Sequence, residues 1–139
     1  MRMPRSIRER TVFVDSGAFL ALLDADDSRH VEAAELLEKI ERENYPTITT
    51  NFVVAEAHAL ILSNLGANVA REWLKNLSIP IWQVDKSEED SAKEIIFRFK
   101  DKEYSLTDAI SFVVMEKIGT KKVFAFDRHF KQFGYQFFE

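Results

Sequence analysis

Short apolar runs of strand type alternate with segments of helical periodicity along almost the whole chain, and this alternation restricts the fold more than any other feature. The first run, Thr11-Val12-Phe13-Val14, stops at Asp15-Ser16-Gly17 and is followed by a short helix over Ala18 to Leu23. After the acidic turn Asp24-Ala25-Asp26-Asp27, Ser28 is positioned to cap a helix whose apolar residues Val31, Ala34, Leu37 and Ile40 recur to about Glu43. Pro46 opens a second strand, Thr47 to Thr50, which leads into an apolar helix over Asn51 to Ser63. Gly66 breaks that helix, and another follows from Asn68 to Leu77.

The second half repeats the alternation. Pro80 to Val84 reads as a third strand, with its proline at the start, where a sheet tolerates it. Ser87 with Asp90 predicts a capping box for a helix reaching Lys100, and Ser105 with Asp108 predicts one for a helix to Ile118, closed by Gly119. Lys122 to Phe126 is a fourth strand, and Tyr135 to Phe138 a short fifth at the edge. Strands separated by helices require crossover connections, so the expected fold is a three-layer α/β/α sandwich around a mostly parallel sheet of four to five strands. No repeat or linker divides it, and the chain is read as a basic, flexible tail over residues 1–10 followed by one domain over residues 11–139.

Composition narrows the chemistry. The 139 residues contain no cysteine, which excludes disulfides, thiolate zinc sites and thiol catalysis. No apolar run approaches the ~20 residues that span a bilayer, and Met1 to Arg10 lacks the core of a signal peptide, so a cytoplasmic protein without a membrane anchor is expected. The net charge is −4, yet the first ten residues carry four arginines against Glu9, which leaves −7 for the remainder. An acidic body is a poor footprint for nucleic acid, whose binding depends on neutralised phosphates, unless something reverses the sign locally.

Most of the 23 acidic residues suit solvated helix faces, but four stand elsewhere. Asp15 follows the first strand, Asp127 follows the fourth, Asp108 lies in the first turn of a helix, and Glu56 shares an apolar helix face with Phe52, Val53, Ala59 and Leu60. In open α/β sheets the ligand crevice lies beyond the carboxyl ends of the strands, and right-handed crossovers bring the starts of the following helices to the same edge. Taken singly, Asp15 and Asp127 also suit caps, and Asp108 suits the capping box. Taken together, four acids can reach one cleft. Two carboxylates ~4 Å apart repel by roughly 4 kcal/mol at an effective dielectric of 20, and a divalent cation relieves this. Oxygen donors without Cys point to Mg²⁺ or Mn²⁺. In FDRHF, Arg128 and His129 stand beside Asp127, where His129 either touches phosphate or packs its ring. His30 and His58 read as surface or packing residues, and Phe13, Phe97, Phe112, Phe124 and Phe126 as core.

The segments VFVDSGAFLALLD, TTNFVVAEAHALI, SLTDAISFVVMEK and VFAFDRHFKQFGY, in this order and spacing, resemble the PIN domain, specifically the single-domain VapC-type toxin of prokaryotic toxin–antitoxin pairs, from Thr11 to Phe138. The resemblance implies a metal-dependent ribonuclease with Asp15, Glu56, Asp108 and Asp127 as its acidic quartet, and Ser16 as a polar partner of the first Asp. It further implies cleavage to a 5′-phosphate and a 3′-hydroxyl, a homodimer, and a small antitoxin whose apolar and basic segment enters the acidic cleft. One departure is Ala125, where many relatives carry Ser or Thr; losing that hydroxyl loosens Asp127. A catalytically inert PIN module that binds RNA or a protein is therefore the alternative. A phosphotransfer domain with Asp15 as nucleophile ranks below both, because Gly17 stands where that chemistry needs an acid.

Overall fold

The computed structural model describes residues 4–139 and contains five strands in one sheet, ordered β3-β2-β1-β4-β5, with every neighbouring pair parallel. The strands are β1 (Val12–Val14), β2 (Thr47–Thr50), β3 (Ile81–Trp82), β4 (Lys122–Phe124) and β5 (Gln136–Phe137). The helices are α1 (Arg5–Arg10), α2 (Ser16–Leu23), α3 (His30–Arg42), α4 (Asn51–Leu65), α5 (Ala67–Asn76), α6 (Lys86–Arg98), α7 (Leu106–Ile118) and α8 (Arg128–Phe133). This is the expected parallel α/β sandwich. None of these helices is long and apolar enough to cross a membrane.

Strand order carries the functional consequence. From β1 the chain moves outward through β2 to β3, then returns to the other side of β1 for β4 and β5. The direction of winding therefore reverses between β1 and β4, and at such a reversal the helices leave a crevice at the carboxyl ends of the two strands. The β1–β4 register runs Val12 to Lys122, Phe13 to Val123 and Val14 to Phe124, and the Asp15 N–H donates to the Phe124 carbonyl at 3.1 Å. Asp15 and Asp127 thus leave the sheet on either side of that crevice.

Beneath it, Phe13, Phe112, Phe124, Phe130, Ile61 and Met115 are fully buried. Phe112 stacks on Phe133 with ring centroids 4.3 Å apart, and Tyr104 meets both edge-on. Gly119 ends α7 at φ 91°, the left-handed conformation that turns the chain into β4 at little steric cost. At α7 the Ser105/Asp108 capping box is present, with both reciprocal bonds formed.

Several local expectations differ. Ser28 does not cap α3; Arg29 holds the N-cap position without a side-chain bond, while the Asp27 carboxylate accepts the Arg29 N–H. The capping box of α6 is Asp85 with Glu88, not Ser87 with Asp90, because Glu88 is drawn inward to Trp82 and Lys117. Phe97 is 68% exposed on the outer face of α6, and Phe126 is only partly buried, with the Arg29 guanidinium 5.0 Å from its ring centroid. The third and fourth strands end sooner than their apolar runs. Of the basic N-terminal tail, Met1 to Met3 lie outside the described residues, whereas Arg5–Arg10 form a helix, not a flexible arm. The Thr11 hydroxyl donates to the Ile7 carbonyl and Arg10 to the Glu43 carbonyl, tying that helix to β1 and to the end of α3.

Candidate active site

Asp15 is the hub of the crevice. It occupies the N-cap position of α2, yet its side chain makes no capping bond to the helix, and it is 4% exposed. Burial in a poorly solvated site pushes its carboxyl up to about 8. The Ser16 backbone N–H opposes that shift, and the charges of Glu56, Asp108 and Asp127 add to it. The four carboxylates singled out in the sequence therefore lie near enough to share one electrostatic environment around Asp15.

Each reaches the crevice by a different local device. Glu56, on α4, accepts a hydrogen bond from the Ser16 hydroxyl on Oε1, which joins the first turn of α2 to the second turn of α4. This contact explains a carboxylate on an apolar helix face. Asp108 is 6% exposed, and its Oδ2 accepts the Ser105 N–H at 3.1 Å, so the same side chain caps α7 and faces the crevice. Asp127 caps α8, its Oδ1 accepting the His129 N–H at 2.9 Å. That bond supplies from the backbone an anchor where Ala125, buried at 5% exposure, offers no hydroxyl.

His129 is more central than its place in FDRHF indicated. Its Nδ1 lies 2.8 Å from Asp108 Oδ2 and 3.2 Å from Asp127 Oδ1, distances at which an Nδ1–H tautomer donates to carboxylate oxygens. Tyr104 meets the imidazole edge-on at 5.6 Å. Donor atoms of Asp108, Asp127 and His129 all lie within 4.8 Å of one another, close enough to hold one cation. Asp15 and Glu56 stand outside that tight group. Arg128 is exposed and makes no hydrogen bond or ion pair with the cluster among the described residues. His30, by contrast, packs as expected, its Nδ1 2.8 Å from the Ala21 carbonyl.

The donor set fits a hard divalent cation. It offers carboxylate oxygens and at most one imidazole, and a carboxyl raised first by burial and further by three like charges is the state that cation binding relieves. A larger groove of about 1010 Å³ lies among α2, α3 and α5, lined by residues such as Phe19, Leu37 and Trp73, and contains none of the four carboxylates. The acidic cluster lies outside that groove.

A parallel α/β domain with a carboxylate cluster at its winding reversal defines a class of acidic-site proteins in which phosphate chemistry is common. Residues 12–134 match the PIN domain family, and the chain belongs to that family. Among its relatives, the 23S rRNA-specific endonuclease VapC20 of Mycobacterium tuberculosis is 33% identical over 128 residues, covering 89% of this chain and 95% of the relative. Ribonuclease VapC26 of the same organism is 24% identical over 123 residues, covering 86% and 89%. The crystal structure of VapC20, a sarcin-ricin loop cleaving toxin, superposes with a TM-score of 0.83 at 31% identity over 90% of this chain and 96% of that one. The relatives are ribonucleases of the VapC type, one of them a 23S rRNA-specific endonuclease, in agreement with the resemblance carried by the four motifs.

Proposed function

We propose that the protein is a Mg²⁺- or Mn²⁺-dependent endoribonuclease that hydrolyses RNA phosphodiester bonds at the crevice between β1 and β4. The convergence of Asp15, Glu56, Asp108 and Asp127 at the winding reversal carries this reading. Asp15, Asp108 and Asp127 are the side chains that would hold the cation. Bound there, it supplies Lewis acidity toward the phosphodiester and makes hydroxide accessible near neutral pH.

The chain's own residues divide the remaining work. Glu56, with Oε1 engaged by the Ser16 hydroxyl, keeps Oε2 to orient the attacking water and take its proton. His129 holds Asp108 and Asp127 at a fixed separation through Nδ1. The capping roles of Asp108 and Asp127 restrict their rotamers, so the site is ordered before substrate arrives. The His129 N–H bond to Asp127 favours this reading over an inert module, because it replaces the orientation that a hydroxyl at position 125 would give.

The same reading includes a toxin role in the cytoplasm, action as a homodimer, and inhibition by a small antitoxin whose basic segment complements the acidic crevice. The test is cleavage of a labelled RNA in Mg²⁺ or Mn²⁺, with EDTA, Asp15→Asn and Asp108→Asn as controls. Loss of cleavage in all three is expected; activity that survives chelation or either substitution refutes the mechanism.

A further inference from the structure

The amino edge of the sheet, opposite the carboxylate crevice, carries a different electrostatic character. Arg10 and Lys122 approach one ring, Tyr45, with the guanidinium carbon 4.1 Å and the ammonium nitrogen 5.3 Å from its centroid. Tyr45 meets Phe138 edge-on at 4.9 Å, and Lys39 lies 5.4 Å from the Phe138 centroid. Lys121 lies 6.0 Å from the Tyr135 centroid. Between these groups runs a cleft of about 430 Å³ lined by Tyr45, Lys122, Lys131, Tyr135, Phe138 and Glu139.

Most of the positive charge there is left without an ion pair inside the fold. Arg10 donates to the Glu43 carbonyl, a peptide group that leaves its charge in place. Among the described residues, Arg10, Lys39, Lys121, Lys122 and Lys131 form no ion pair with a carboxylate side chain, while the Glu43 carboxylate is engaged by Arg42 at 3.6 Å. In a chain of net charge −4, these cations outnumber the Glu139 carboxylate at the cleft and form a local reversal of sign. The length of β1, about 10 Å, separates this edge from Asp15, and the cleft shares no lining residue with the acidic cluster.

We infer that this basic cleft is an RNA-docking site, separate from the catalytic crevice, that takes the phosphates of a single-stranded stretch of the substrate. The inference rests on the ribonuclease reading for the identity of the ligand. It answers a difficulty that reading creates: an acidic crevice repels the polymer it must cut, and cations placed elsewhere on the surface supply the attraction. Tyr135 and Phe138 are buried and Tyr45 is faced by Arg10 and Lys122, so the rings hold the cations in place and the ligand meets their charge. RNA is the polyanion that the proposed reaction itself requires, which favours it over an acidic protein segment.

The test measures binding without cleavage. A fluorescein-labelled single-stranded oligoribonucleotide is titrated with the protein in EDTA, and anisotropy is read across a series of salt concentrations. For the double variant Lys122→Gln with Lys131→Gln, affinity at low salt falls about tenfold and the slope of log affinity against log salt decreases by about 1.4. Cleavage of a dinucleotide substrate in Mn²⁺, too short to reach the cleft, stays at the wild-type rate. A second pair, Lys121→Gln with Lys131→Gln, both on the open surface, gives the same direction of change and guards against misfolding of the first. Affinity and slope equal to wild type in both pairs overturn the inference. Tighter binding of polyglutamate than of RNA, lost in the same variants, overturns it in favour of a protein-docking surface. If the wild-type protein binds RNA in this manner yet never cuts it with metal present, the catalytic reading fails and the docking site stands.

Discussion

His129 Nδ1 stands 2.8 Å from Asp108 Oδ2, a bond that ties the first turn of α8 to the first turn of α7 across the crevice. Partners of this kind fix ligand orientation, and removing them typically costs 10–100-fold in metal affinity. We predict a loss within about that range for His129→Ala, measured by calorimetric titration with Mn²⁺. Wild-type uptake in this variant would show that the imidazole is only packing.

Asp15 links stability to function with opposite signs. Its folded-state value of about 8 lies above the ordinary 3.8, so between those two values the folded protein holds a proton that the unfolded chain releases. The metal-free protein therefore loses stability as pH rises from about 4 toward 8. Asp15→Asn removes that penalty. In EDTA at pH 8 the variant is expected to be more stable than wild type by about 5 kcal/mol, and nearly equal to it at pH 4, while cleaving no RNA. Urea denaturation at the two pH values measures the difference; a variant less stable at pH 8 contradicts the electrostatic account.

Ser16 and Glu56 test the division of labour at the crevice. Glu56→Gln is expected to lower the cleavage rate about 10²- to 10⁴-fold, as loss of a proton-accepting group does. Ser16→Ala, which removes only the hydroxyl holding Oε1, is expected to have a smaller effect, with Mn²⁺ affinity little changed. Equal losses in the two variants would mean that the hydroxyl itself serves the reaction.

Far from chemistry, Glu88 holds α6 in place. It is 2% exposed and accepts the Asp85 N–H, the Trp82 indole N–H and the Lys117 ammonium. Burial alone would raise its carboxyl, but these donors prevail and hold it below the usual range. Its stabilisation is accordingly complete above the unfolded carboxylate value and is lost as pH falls through the depressed folded one. Glu88→Ala orphans the Trp82 and Asp85 donors and is expected to cost about 2–3 kcal/mol at neutral pH, with a diminishing cost in acid. Thermal melts at several pH values provide the comparison.

Local signals made much of this legible from the residues. β2 over Thr47–Thr50 and α7 from Ser105 to Gly119 follow from strand composition, a capping box and a terminating glycine, all of which act over a few residues. Asp15 and Asp127 were visible because position after a strand is itself the signal. The α6 box was misplaced because Asp85–Glu88 and Ser87–Asp90 offer the same spacing, and contacts with Trp82 and Lys117, distant in sequence, decide between them. His129 was underrated for a related reason: its role depends on a ring turned toward another helix. The helix Arg5–Arg10 was hidden by a composition that also suits a disordered end, and its anchors at Thr11 and Glu43 are tertiary.

Asp108 both closes the capping box of α7 and contributes an oxygen to the acidic cluster. Fraying of that helix end therefore dismantles the cluster at the same moment. On the proposed ribonuclease reading, a chain still emerging from the ribosome, or one partly melted, has no assembled centre with which to cut RNA.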